Sequence, residues 1–240
     1  MHSNEHRLNE HRKAAPRTGA GRKAVRLGLL ATVGLGAIAT TATAQAAAPG
    51  TFSSNAHGVA IADNAALSYA NPVHRTDFDD SFTVHQYGTV FAASAYNQAS
   101  ASSSACTAAK PCRSVALSFQ IITMAGENIH LNAQNHSRSG NNHCADCQTF
   151  AGAYQFIVST PNPFTLSASA QRQLANIHRS LDALGRSDAS IASVQAQADA
   201  LAAQVTAILK AGAASAPKGP GVDALAAMAP TVTMHRMLTH

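Results

Sequence analysis

Four cysteines and a run of histidines are the residues whose types and spacing suit chemistry. The cysteines are Cys106, Cys112, Cys144 and Cys147. Cys144-Ala-Asp-Cys147 has the spacing of a redox-active dithiol. Such a dithiol needs a helix N-terminus, whose dipole favours the thiolate. Here the residues after Cys147 alternate like a strand, and no βαβ pattern precedes them. A disulfide framework is the expected role, because an even cysteine count in an exported chain reads first as paired.

Metal binding is the competing chemistry. His130, His136, His143, Cys144 and Cys147 form the densest run of ligand-type side chains. On one strand His130 and His136 stand about 20 Å apart, too far to share an ion. The candidate set is therefore His136, His143, Cys144 and Cys147, a structural zinc site if the thiols stay reduced. Asp77, Asp79 and Asp80 lack the ligand order of a calcium loop. His-Glu-x-x-His, Gly-x-Ser-x-Gly and P-loop motifs do not occur. No catalytic residue and no cofactor is assigned.

The elements that must position these groups are organised by a partial repeat. Cys112–Ile122 aligns without gaps on Cys147–Ile157, at an offset of 35 residues. Cys, Ala, Gln and Ile recur identically. Both copies alternate, with Val115, Leu117, Phe119 and Ile121 opposing Ser114, Ala116, Ser118 and Gln120 in the first. Period-two patterning predicts strands with a large-residue face and a small-residue face, a buried Ala-rich helix being the alternative. Ile129, Leu131 and Ala133 alternate with His130, Asn132 and Gln134 between the copies. These runs predict an antiparallel meander of residues 113–124, 128–138 and 148–158. Residues 81–91 read as a further strand, and the Ser/Ala-rich 94–105 as a loop.

In a meander the first and third strands start about 10 Å apart, beyond disulfide reach. Local pairs, Cys106–Cys112 and Cys144–Cys147, follow from that geometry. After Pro161, Leu174, Ile177, Leu181 and Leu184 take helical spacing, with Ser167 as N-cap. A second stripe, Ile191, Val194, Ala198, Leu201, Val205 and Ile208, follows Ser187-Asp188. The short break between them predicts an antiparallel helical hairpin. Its apolar stripe can pack on the sheet or join a second copy into a homo-oligomer. The Ala/Gly/Pro-rich tail from Gly212 reads as mostly disordered, ending in a weak helical piece.

Charge and hydropathy place the chain. The formal charge is +5, but residues 1–46 hold seven of the seventeen Lys/Arg and two of the twelve acids. The rest carries ten of each, which argues against nucleic acid as a partner. Basic residues, the apolar run Leu27–Ile38 and Ala44-Gln45-Ala46 form the three-part layout of a secretory signal peptide. The run is short of the roughly 20 residues that span a bilayer, and no later stretch reaches that length.

At Cys144-Ala-Asp-Cys147-Gln-Thr-Phe-Ala-Gly-Ala-Tyr-Gln155 the chain resembles a family of exported actinobacterial proteins. Their shared unit is Cys-x-x-Cys-Gln-Thr-(Val/Phe)-Ala-x-Ala-(Phe/Tyr)-Gln, often followed by a polar helical hairpin. The resemblance spans roughly residues 81–210. Some members are named peptide zinc metalloprotease-like, but His-Glu-x-x-His is missing here, so that activity is not carried over. The resemblance implies a structural unit, not an active site.

The expected protein is α+β: a signal peptide (1–46), a disulfide-stabilised β-rich domain with a small antiparallel meander (47–160), a helical hairpin (161–210) and a tail (211–240). The expected function is secreted, non-enzymatic binding or structural work toward a protein or cell-envelope partner. The alternatives are an extracytoplasmic thiol–disulfide oxidoreductase using Cys144 and Cys147, and a structural zinc-binding protein.

Overall fold

The computed structural model describes residues 58–217 and 230–239. The signal peptide expected over 1–46 and part of the tail expected to be disordered lie outside the described residues.

Among the described residues six strands come first, β1 (Val59–Ala70), β2 (Thr76–Thr89), β3 (Ala92–Ser104), β4 (Arg113–Ala125), β5 (His130–Asn142) and β6 (Gln148–Thr160). Helices α1 (Ala168–Gly185) and α2 (Ile191–Ala214) follow, then β7 (Thr231–Thr239). Successive strands alternate between two sheets. One sheet has the order β1-β3-β5, the other β2-β4-β6-β7. All pairs are parallel except β6 with β7. Each consecutive strand pair is thus one coil of a winding chain, and three coils stack.

The expected α+β fold, an antiparallel meander followed by a helical hairpin, is overturned: the described residues are mostly strand, in two sheets of largely parallel strands, with two helices and a further strand after them. Strands do form close to 113–124, 128–138 and 148–158, but β4 pairs directly with β6 while β5 lies in the opposite sheet. The physical reason is burial. Nearly every residue of β4 and β6 is buried, on both faces. A meander with one solvated face cannot do that, whereas interior parallel strands do. The segments that align at an offset of 35 lie side by side: Val115 opposes Phe150, and Gln120 opposes Gln155. Residues 94–105, expected as a loop, belong mostly to β3. The tail expected to be mostly disordered ends in a strand, β7, which holds the Met/His residues Met234, His235 and Met237.

Alternation sorts the two faces of β4 and β6. The large side chains point away from the other sheet and form the main core with the helices. Phe119, Phe150, Tyr154 and Phe156 pack there with Leu174, Ile177, Leu181, Val194, Val205 and Leu209. Phe119 and Tyr154 rings lie 4.5 Å apart, a packed aromatic contact. Ser167 caps α1 by accepting from the Ala170 amide at 3.1 Å. Ser190, rather than the expected Ser187-Asp188, caps α2, accepting from the Ser193 amide. The apolar helical stripe expected as a possible self-association surface faces this sheet. Gly185 ends α1 without a side chain because the Phe78 ring occupies that space.

The small faces meet between the sheets. Ala62, Ala66, Ala95, Ala99, Ala116, Ala151 and Ala153 are buried there. Among them runs a polar seam. Asn64 opposes Asn97, and Asn97 opposes Asn135. The Asn64 amide donates to Asn97 Oδ1 at 3.1 Å, and the Asn97 amide to Asn135 Oδ1 at 2.8 Å. The same amides reach the Ser118 hydroxyl, the Phe119 carbonyl and the Tyr154 carbonyl across the sheets. Gln155 donates to Gln120 at 2.9 Å, and Gln120 to the Tyr96 carbonyl at 3.0 Å. Buried amides are tolerated here because their N–H donors all find partners, while Gln155 Oε1 is buried without one.

Both ends of the ladder close on the protein itself. Ser81 donates to Asn64 Oδ1 at the first coil. Asn135 donates to the carbonyls of Ala153 and His235 at the last. The outer edge of β1 is closed by side chains of β2. Asp79 accepts from the Leu67 amide and Asp77 from the Tyr69 amide, both at 2.6 Å, and Tyr87 donates to the Ile61 carbonyl. An edge strand with unpaired amides is a template for another chain, and inward acids block it. Burial is the main cause that holds the Asp79 pKa above its ordinary value, with Asp80 and Asp77 adding to it and the Leu67 amide opposing. A raised carboxylate pKa makes the stability contribution largest at low pH and lost as pH rises through the folded value. Ionised Asp79 therefore costs stability at neutral pH, and what it supplies there is closure of the edge.

Two outcomes are expected. Asn97→Ala strips the middle rung and lowers the unfolding free energy by about 3 kcal/mol, measured by urea titration; a loss under a third of that contradicts a stabilising seam. Asp77→Ala with Asp79→Ala gives concentration-dependent self-association in size-exclusion light scattering. A strictly monomeric double variant refutes the edge-closing role.

Candidate functional site

The four cysteines come together at one corner of the coils. Cys106 and Cys112 flank the β3–β4 turn, and Cys144 and Cys147 lie in the β5–β6 turn. They form two disulfides, Cys106–Cys112 and Cys144–Cys147, with Cα separations of 5.9 and 5.7 Å. The local pairing agrees with expectation, but the reason given for it does not hold. β4 and β6 are neighbours, so Cys112 and Cys147 lead adjacent strands rather than strands two spacings apart. The Cys112 amide donates to Cys147 Sγ at 3.4 Å, and the Ala145 amide to the Cys106 carbonyl at 3.2 Å. All four sulfur-bearing side chains share one apolar cluster with Ala70.

The backbone is bent to make this corner. Ala105, His143 and Asp146 adopt φ of 58°, 48° and 57°. Each directly precedes a cysteine: Cys106, Cys144 and Cys147. The left-handed region is unfavourable for residues with a Cβ and persists where the surroundings impose it.

The sequence-predicted metal set is only partly assembled. Cys106, Cys144 and Cys147 have sulfur atoms within 4.8 Å of one another, and no histidine belongs to that group. His136 is on the outer face of β5, its ring 5.5 Å from Tyr96. His130 is exposed on the same strand, and His143 is exposed in the turn. Cys106 was tied to Cys144 by no sequence spacing, since a coil stacking at 38 residues has to be known first. The dithiol Cys144–Cys147 opens onto β6, not onto a helix N-terminus, so the dipole that activates such thiols is missing at this turn.

Two other groupings tie elements together. Tyr154 donates to Asp199 Oδ1 at 2.9 Å, and Asp199 Oδ2 meets Arg236 at 2.8 Å, linking β6, α2 and β7. Burial first, then the hydrogen bond to Asp199, pushes the Tyr154 pKa far up, so its hydroxyl stays a donor. His178 on α1 meets Asp80 on β2 at 3.1 Å and stacks on Phe82. These are docking contacts of the helices.

The outer face of the β1-β3-β5 sheet is the remaining candidate. It carries Ile61, Leu67 and Tyr69 on β1, more than half exposed, beside Tyr96, Gln98, Gln134 and His136. Tyr69 shares a hydrogen bond with Ser104, and Tyr96 donates to Gln98 at 3.0 Å, which holds the rings. No helix among the described residues is long and apolar enough to cross a membrane. Comparison with protein-family models, with curated proteins and with solved structures returns no match.

Each disulfide closes a short loop, so chain entropy assigns it about 2 kcal/mol. Cys106→Ser with Cys112→Ser is expected to lower the unfolding free energy by about that amount in a urea titration. An unchanged midpoint and slope would show that the bridge does not stabilise the fold.

Proposed function

We propose that this chain is an exported, non-catalytic binding or structural protein acting at or outside the cell surface, with the outer face of the β1-β3-β5 sheet as its contact surface. The observation that carries this reading is the asymmetry of the two sheets. One outer face is sealed beneath α1 and α2. The other holds aromatic rings and amides in parallel rows: Asp63, Tyr96 and Gln134 in one, Ala65, Gln98 and His136 in the next. Rings offer apolar area, and the amides beside them offer donors and acceptors in fixed positions. A flat surface of that kind fits an extended cell-envelope partner better than a small molecule, which needs a concave site. Two disulfides and the basic, apolar N-terminal layout support an oxidising, extracytoplasmic setting.

The test starts from the full chain expressed in a secreting bacterial host. N-terminal sequencing of the exported protein is expected to begin near Ala47. That protein is expected to co-sediment with isolated cell envelopes, and Tyr69→Ala with Tyr96→Ala to lose at least tenfold in binding while unfolding at the same urea concentration. Retention in the cytoplasm sinks the location. Unchanged sedimentation of the double variant, or none of the wild type, sinks the contact surface.

A further inference from the structure

The two disulfides are not independent loops. The spacing from Cys106 to Cys144 equals the spacing at which β3 stacks on β5, where Ser104 opposes Asn142. The spacing from Cys112 to Cys147 equals that of β4 on β6, where Arg113 opposes Gln148. Cysteine therefore stacks on cysteine at both positions of the corner. A disulfide that merely closed its own turn would not require its sulfurs to meet those of the next coil. Here three sulfurs lie within 4.8 Å of one another, and the fourth, Cys112, is bonded to one of the three. Each of those three follows a left-handed residue, so backbone strain is placed where it aims the sulfurs at a common point.

We propose that this corner, once its thiols are reduced, is a tetrathiolate site for a soft divalent cation such as Zn²⁺, with Cys106, Cys112, Cys144 and Cys147 as the four ligands. Zinc takes four thiolates tetrahedrally at about 2.3 Å, which sets the sulfurs about 3.8 Å apart. Cys106, Cys144 and Cys147 Sγ already lie within 4.8 Å of one another, and on reduction the sulfurs of each former bond move apart toward that spacing while Cys112 Sγ turns in to join the other three. The Cys112 amide already points at Cys147 Sγ, the donor that a metal-bound thiolate accepts from. Cys106 and Cys112 are buried and Cys144 and Cys147 partly so, which leaves one side open for entry.

The redox step balances. Each disulfide takes two electrons and two protons from a dithiol reductant, which becomes a disulfide in turn. The four thiols then release four protons as Zn²⁺ binds. The newly made chain reaches the same reduced state without that step. Metal occupancy and the disulfide pair are thus alternative closures of one corner, selected by thiol state. The candidate set differs from the sequence-derived one, with Cys106 and Cys112 replacing both histidines.

The full chain is reduced with a phosphine under argon and titrated with Co²⁺, then Zn²⁺. One Co²⁺ per chain is expected, with intense thiolate charge-transfer absorption and the visible bands of tetrahedral cobalt, bleached by one equivalent of Zn²⁺. Native mass spectrometry is expected to show one zinc gained per chain, and a pH indicator in weak buffer the release of about four protons per zinc. His136→Ala with His143→Ala leaves these readouts unchanged. Cys106→Ser with Cys112→Ser removes the four-thiolate spectrum. Absence of cobalt binding by a reduced chain that keeps its strand circular dichroism overturns the proposal. So does loss of the strand signal on reduction that Zn²⁺ fails to restore, or a spectrum retained by the double cysteine variant.

Discussion

Asn97 sits at the centre of the space between the sheets and meets a partner on every side. Its side chain accepts from Asn64 and Ser118 and donates to Asn135 and the Tyr154 carbonyl. The amide fits only when the three coils are in one register, because a one-residue slip turns it to the opposite face. The alanines around it let the sheets close over it. With the register set, the large faces of β4 and β6 line up as one apolar surface, and the helices have a platform to cover. The same register puts cysteine over cysteine at the corner. Packing, helix docking and sulfur chemistry therefore depend on a polar contact in an otherwise small-residue interior.

That dependence explains what the sequence could and could not reveal. β4, β6 and the two helices were legible, since Val115–Ile121, Phe150–Phe156 and Leu174–Leu184 carry clear periods. The caps were half legible: Ser167 was read as the first cap and is one, while Ser187 and Ser190 compete for the second. Pairing direction was not legible. Period-two alternation is the same in parallel and antiparallel strands, and the turns at Gly126 and His143 carry no signal that the chain crosses to another sheet. Gly126 is needed there because a Cβ would run into the Val90 carbonyl. β1 and β3 were obscured by their Ala and Ser content, which has low strand propensity and is tolerated only because the stacked coils bury it. The cysteine pairing matches although the strand order does not, because partners only 6 and 3 residues apart meet within their own turns whatever the order of the strands.

Charge is arranged around the same frame. The acids of β2 that face the other sheet spend their hydrogen bonds on β1 amides, while Asp80, on the opposite face, holds His178 of α1. One short segment thus seals an edge with one face and docks a helix with the other. At the far end Arg236 of β7 reaches Asp199 of α2, so the last strand is held by the helix as well as by β6.

The position of that last strand has a consequence in time. Asn135 is completed by the carbonyl of His235, a contact that spans 100 residues of chain. Pairings between distant segments are slow, because loop closure is paid before contact is gained. The last bond of the seam forms only once β7 lies beside β6. The long reach from the fifth strand to the seventh thus places this contact among the last to form, after the local helix contacts and the stacking of neighbouring coils.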